Sequence, residues 1–387
     1  MAGMTDHNLG LFSNEFYRGR INPMNAAGSI DARHQGWDVQ TLNLSDRWRF
    51  RLDRARGKAI LGAIRAAFKP DKPLLSYRQD DFPIEAEIGV FKEAMKEVAD
   101  GLGIAMLSGL PRQGVTEAEF AMMTWAIGLH LGVARPQDRL TAYLNKVKDI
   151  GTDYRSPTGR GYSSNASLDF HVDGSDVVIL SCFNQAIEGG MSMCTSSIRA
   201  YRVLCQERPE LAPALRQLFP FSRNGEHQGN ESAWFLAPLA GEEDGFPFIA
   251  WNRNRLINAL KLDGVATISD LQWEAVGYFD SVLRRPDLMY AVYLRPGDVQ
   301  ILNNQTILHS RTAFIDSIQE VEKRTLFRLW LAVPWSKQLP PFWEHYAGTR
   351  QAATVRGGSR GFHYDDACRL FDKEQAAAMG MKLQTFP

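Results

Sequence analysis

The segment RTLFRLWLAV, residues 324–333, alternates strictly. Successive side chains of a strand point to opposite sides, so Thr325, Phe327, Leu329 and Leu331 share one face and Arg324, Leu326, Arg328 and Trp330 the other. The first is an ordinary core face. The second sets two guanidiniums among apolar neighbours in what reads as an inner strand. Burying arginine is costly unless an anion pairs with it. The strand therefore demands either structural salt bridges or a binding site for an anion. A carboxylate suits the second role, because arginine grips one in a bidentate fork.

Other segments place this strand in a mainly β chain with helical insertions. VVILSCF, MSMCTSS, LMYAVYL and DVQIL have strand composition, and LDFHVD reads as a strand ended by Gly174. Phe91, Met95, Val98 and Leu102 predict a helix, closed by Gly101 and Gly103 and followed by a short strand at Ile104–Leu107. Thr116-x-x-Glu119 is a capping box opening a second helix, with Phe120, Met123, Ile127 and Leu131 on one face. Further helices are expected at about 197–206, 209–218, 270–284 and 373–381. Residues 150–165 are rich in Gly, Ser, Pro and Arg and read as a loop. Its Gly159-x-Gly161 lacks the third glycine and following helix of a phosphate cradle. No internal repeat is found. The expected architecture is a β-sandwich or barrel decorated by helices.

Charge and cysteines narrow the classes. Lys plus Arg is 44 and Asp plus Glu is 44, so the basic excess of a general nucleic-acid binder is missing. No apolar run reaches the 18 residues of a membrane span. MAGMTDHNLGLFSNEFYRG has neither the basic stretch nor the apolar core of a signal peptide. Cys182, Cys194, Cys205 and Cys368 form no C-x-x-C pair and read as thiols of a reducing cytoplasm. The sequons at Asn43, Asn165, Asn230 and Asn304 are read as chance.

A metal site needs histidines with acidic partners. Eight histidines and 44 carboxylates in 387 residues give about one H-x-[DE] pair by chance, and two occur, His171-x-Asp173 and His363-x-Asp365. Context decides between them. In a strand, His171 and Asp173 would point to one side and converge as two ligands do. His363 and Asp365 follow a Gly/Arg-rich loop, have no third ligand after them, and read as a surface hydrogen bond. His309, in RPGDVQILNNQTILHSRTAF, is the best third ligand, with Arg311 two residues on. Two histidines and one carboxylate leave open positions on an octahedral iron, as in non-haem Fe(II) oxygenases.

The four segments LDFHVDGSDVV, NQAIEGGMSMCTSS, RPGDVQILNNQTILHSRTAF and KRTLFRLWL, in that order, resemble the taurine dioxygenase/TfdA-like family of Fe(II)/2-oxoglutarate dioxygenases. The resemblance covers about residues 88–335. It implies a double-stranded β-helix, a jelly-roll variant, with the site in the barrel mouth. It implies iron held by His171, Asp173 and His309, and the distal carboxylate of 2-oxoglutarate held by Arg324. Ser192 stands where the family usually has Thr and would assist that carboxylate. Arg328 would touch 2-oxoglutarate or a substrate anion, and Asn304 and Arg311 would orient the His309 strand. The implied reaction is oxidative decarboxylation of 2-oxoglutarate to succinate with O2, coupled to attack on an unactivated C–H bond, usually hydroxylation. Related halogenases replace the carboxylate by a small residue, so Asp173 argues against halogenation. Desaturation, cyclisation, epimerisation and demethylation use the same ligand set and stay open. So do a non-catalytic jelly-roll binding protein and a zinc hydrolase.

The expected domains are an irregular N-terminal extension at 1–80 packed on the core, a dioxygenase domain at 81–335 with a helical insertion at about 195–285, and a C-terminal extension at 336–387. Tyr154, Arg155, Arg160, Tyr162 and Asn165, in the loop before the metal pair, are expected to face the substrate. The partner is a small or medium metabolite, with nucleic acid and membrane excluded and a homo-oligomer left open.

Overall fold

A computed structural model describes residues 35–153, 161–227 and 231–383. Two sheets organise it. The larger has seven strands, in the order Arg49–Arg51, Ile104–Ser108, Val299–Asn303, Val177–Asn184, Thr325–Ala332, Val133–Arg135, with Leu144–Val147 also paired to Thr325–Ala332. Only the first pair is parallel. The smaller sheet sets Ser192–Ser196 between Met289–Val292 and Ile307–Arg311, antiparallel throughout.

The two sheets meet in one apolar cluster. Ile104, Val178, Leu302 and Trp330 of the large sheet pack with Cys194 and Ile307 of the small one. The other face of the large sheet carries Ile179, Ile301, Phe327, Leu329 and Leu331 against Phe91, Met95, Val98, Phe120 and Met123. Alternation in 324–331 thus separates two environments: the odd positions fill the helix-covered core, and Arg324, Leu326, Arg328 and Trp330 line a cavity.

The helices Gly89–Asp100 and Glu117–Leu129 form where the periodicity predicts them. Thr116 and Glu119 exchange the two bonds of the capping box. The second helix is buried on nearly all sides rather than on one face. The helix Arg54–Ala67 packs on it, and Trp125 meets Phe371 of the helix Asp366–Ala378 at 5.4 Å.

Several expectations need correction. The stretch 1–80 is not irregular throughout. Arg49–Arg51 joins the large sheet, and Arg54–Ala67 is a helix capped by Asp53, which accepts from the Arg56 amide. The helix expected at 209–218 is a 3-10 turn Pro209–Leu211 followed by a single turn Ala212–Leu215. The insertion is not purely helical, because it carries the hairpins Leu218–Ser222 with Trp234–Pro238 and Ala240–Glu243 with Phe246–Ile249. The last helix runs Asp366–Ala378, earlier than expected. LDFHVD is not a regular strand. His171 makes isolated bridges to His309 and Asn252, and Gly174 ends nothing longer.

Candidate metal centre and carboxylate pocket

His309 lies in the middle of Ile307–Arg311, whose partner strand Ser192–Ser196 puts Ser192 into the cavity wall. His171 pairs with it through two hydrogen bonds, each amide donating to the other's carbonyl at 3.0 Å. One residue on, the Val172 amide donates to the Trp251 carbonyl at 2.9 Å. Short as it is, this extended stretch still turns His171 and Asp173 to one side. The ligand atoms of His171, Asp173 and His309 all lie within 4.8 Å of one another.

The environment fixes how each group is presented. The Asp169 carbonyl lies 2.9 Å from His171 Nδ1, which sets the tautomer that leaves Nε2 open. Burial, and then the neighbouring His309, hold His171 neutral down to about 4. A neutral imidazole is what a metal requires. Burial alone would raise the Asp173 carboxyl. Arg328 at 3.2 Å and His309 at 3.5 Å outweigh it and keep the group ionised well below the usual carboxylate range. Asp173 Oδ2 is buried and has no hydrogen-bond partner.

The cavity holds about 150 Å³, and Arg324 stands in its wall. Arg324 is 5% exposed and makes no ion pair with the other described residues. Its Nη1 is buried without a partner, and burial lowers its pKa to about 10. Its backbone amide is tied to Asp316 at 2.5 Å, and its guanidinium lies 5.1 Å over the Phe314 ring. Gly189 and Gly190 make this approach feasible. Both have positive φ, and a Cβ on Gly190 would sit 2.9 Å from Arg324 Nε. Ser192 lines the same cavity, and its hydroxyl donates to Gln300 Oε1 at 2.7 Å.

Other expected residues fall in different places. Asn304 Oδ1 accepts from the Asp173 amide at 3.2 Å, so it holds the Asp173 turn rather than the His309 strand. Arg311 donates to the carbonyls of Ser164 and Ala166 at 2.8 and 2.5 Å, tying the preceding loop to its own strand. Tyr162 lines the cavity, with the Arg328 guanidinium 5.4 Å over its ring. Asn165 is exposed, away from the cavity wall, and its carbonyl accepts from Phe314. Tyr154, Arg155 and Arg160 lie outside the described residues. His363 is exposed, and Asp365 caps a helix.

No local pattern marks Gln137, Asn224, Glu226, Arg255 and Tyr346, which also line the wall. Glu226, buried, and Arg255, partly buried, form an ion pair at 2.7 Å. Tyr346 comes from the C-terminal stretch and donates to the Val172 carbonyl at 3.3 Å. Only folding brings these positions together, so no spacing could announce them.

Residues 70–330, more than half of the chain, match the family model described as Taurine catabolism dioxygenase TauD, TfdA family. The chain is 27% identical over 311 residues to FR-33289 synthase of Streptomyces rubellomurinus, covering 79% of this chain and 91% of that protein. It is 27% identical over 173 residues to taurine hydroxylase-like protein SAT17 of Stachybotrys chartarum, 44% of this chain and 43% of that one. Among solved structures, asparagine oxygenase with Fe(II), 3-hydroxyasparagine and succinate superimposes with a TM-score of 0.53 at 16% identity, over 74% of this chain and 94% of that one. The non-haem iron oxygenase OrfP with Fe and α-ketoglutaric acid gives 0.54 at 15%, over 73% and 94%. At such identities the structural likeness speaks to the fold.

Proposed function

Because the chain belongs to the taurine catabolism dioxygenase TauD, TfdA family, we propose that it is an Fe(II)/2-oxoglutarate-dependent dioxygenase that hydroxylates an unactivated C–H bond of a small or medium metabolite. One observation carries the reading. A neutral His171, an ionised Asp173 and His309 converge at one part of a cavity whose wall also holds the unpaired guanidinium of Arg324.

The donor set suits the group. Two imidazoles and one carboxylate are the facial ligands of such an iron. The orphaned Asp173 Oδ2 and Arg324 Nη1 are buried atoms short of a partner, one for a cation and one for an anion. When bound, iron with 2-oxoglutarate supplies the oxygen-activating chemistry, with succinate and carbon dioxide as co-products. The chain's own residues do the rest. The Asp169 carbonyl aims His171 Nε2 inward. Arg324 holds the far carboxylate of 2-oxoglutarate; Ser192 lines the same cavity, but its hydroxyl proton goes to Gln300, so help from it would require that bond to be exchanged. Leu168, Leu180, Leu294 and Leu326 keep water out of the cavity. Tyr162, with Arg328 stacked on it, flanks the substrate.

The arrangement of strands also supports a double-stranded β-helix. In chain order, 177–184, 192–196, 289–292, 299–303, 307–311 and 325–332 fall on the large, small, small, large, small and large sheets. Buried, unpaired Cys182, Cys194 and Cys368 suit a reducing cytoplasm. Among the described residues no helix is long and apolar enough to cross a membrane.

Incubation with Fe(II), 2-oxoglutarate and O2 tests the reading. Succinate should form slowly alone and faster in a metabolite screen that includes the substrate. A metal-loaded, folded protein that forms none would overturn it.

A further inference from the structure

We propose that Gln137 is a positioning residue for the metal centre. It fixes the Arg328 guanidinium against one oxygen of Asp173, so that the other oxygen alone is offered as ligand. The inference rests on the metal-site reading above.

Gln137 is 2% exposed and lies just beyond the strand Val133–Arg135. Its Oε1 accepts from Arg328 Nε at 2.8 Å. Its Nε2 donates to the carbonyls of Tyr143, at 2.9 Å, and Arg328, at 2.8 Å. Both amide N–H groups are thus spent on carbonyls. A flipped amide would set N–H against guanidinium and oxygen against two carbonyls, so only one orientation is satisfied.

Arg328 is held on every side. Nε is taken by Gln137, Nη1 reaches Asp173 Oδ1 at 3.2 Å, and the guanidinium stacks over the rings of Tyr162 and Trp330 at 5.4 and 4.8 Å. A planar group fixed by an in-plane bond and ring faces has little freedom left. The restraint passes to Asp173. Its Oδ1 is occupied by Arg328, its backbone amide is held by Asn304, and its Oδ2 is buried, unpartnered and 3.5 Å from His309 Nε2. A carboxylate with one oxygen committed ligates through the other. Partners behind metal ligands are worth about 10–100-fold in metal affinity or activity.

The backbone of Gln137 is clamped in turn. Its amide donates to Ala142 at 2.9 Å, and it bridges Ser359 of the C-terminal extension.

Cobalt(II), titrated by its visible absorption, is the probe, so turnover is not needed. Gln137→Met keeps the shape and removes the acceptor together with the two donors to carbonyls; it should weaken cobalt binding about tenfold and change the absorption band. Gln137→Glu keeps the acceptor toward Arg328 Nε but sets an oxygen instead of N–H groups against the Tyr143 and Arg328 carbonyls, so it should lose less cobalt affinity than Gln137→Met without reaching wild type. Gln137→Met added to Arg328→Leu should cost nothing beyond Arg328→Leu alone, because the two act in series. Melting temperatures confirm that each variant is folded. Additive losses, equal damage from Glu and Met, or an unchanged cobalt spectrum in Gln137→Met would overturn the role of Gln137 while the metal site stands. Failure of the wild-type protein to bind cobalt would overturn the metal-site reading and the inference with it.

Discussion

The chain contains the triplet pattern H-x-D twice, and the two copies live in opposite surroundings. At His171 and Asp173 the carboxylate is 4% exposed, faces Arg328 and lies beside a second histidine that arrives from a strand over 130 residues later. At His363 and Asp365 both residues are exposed. Asp365 accepts from the Cys368 amide at 3.0 Å as the N-cap of Asp366–Ala378, and the His363 backbone amide donates to Thr141. One carboxylate is buried and short of a partner; the other has spent its charge on a helix start. Three letters of sequence say nothing about which is which. The difference comes from what the rest of the chain carries to each place.

Substitutions can press on that contrast, and the largest effect is expected at the first pair. His171→Ala or Asp173→Ala should abolish succinate formation in a chain that stays folded. Near-normal turnover in either, with metal bound, would erase the distinction between the two pairs. Next comes the far end of the first cavity. Arg324→Leu should raise the apparent KM for 2-oxoglutarate on the order of a hundredfold, since a desolvated charge-assisted pair is lost. Arg328→Leu should disturb it far less, and titration of both variants decides whether the two roles are exchanged. Gly190→Ala pushes a methyl to 2.9 Å from Arg324 Nε at a positive φ, and a rise in that KM of about tenfold is expected. A variant with unchanged KM would show that Arg324 is free to move aside. Smallest are the changes at the second pair. Asp365→Ala should lower the melting temperature slightly with turnover intact, and His363→Ala should alter neither. Metal loss in the latter would reverse the comparison.

What could be read in advance follows the range of the interactions. The faces of 324–331 were legible because a strand's two-residue period is set by its own backbone. The start of Glu117–Leu129 was legible because Thr116 and Glu119 bond within one turn. LDFHVD does not follow its composition because its extended form depends on His309 and Trp251, not on neighbours. The helix Arg54–Ala67 leaves little mark in the sequence because only Gly57, Ile60 and Ile64 are buried in it, too thin an apolar stripe beside its charges. The helix expected at 209–218 broke into two short pieces, with Pro213 at the head of the second. At the site, the H-x-D pair and the arginines have neighbours in sequence. Gln137 and Tyr346 have none, and Glu226 and Arg255 arrive on two further segments far in sequence from the ligand residues.

The C-terminal stretch has a practical consequence for how the protein is made. Tyr346 lines the cavity, Arg356 pairs with Asp176 at 2.8 Å, and Ser359 bridges Gln137, all beyond the last strand of the large sheet. A chain trimmed at residue 335 would keep the three ligand residues and both arginines, yet lose Tyr346 from the cavity wall and leave Asp176, 3% exposed, without its cation. The region that defines the family is therefore smaller than the region that builds the cavity. During synthesis the ligand residues emerge from the ribosome first. The chamber around them gains its Tyr346 side only after that residue has followed.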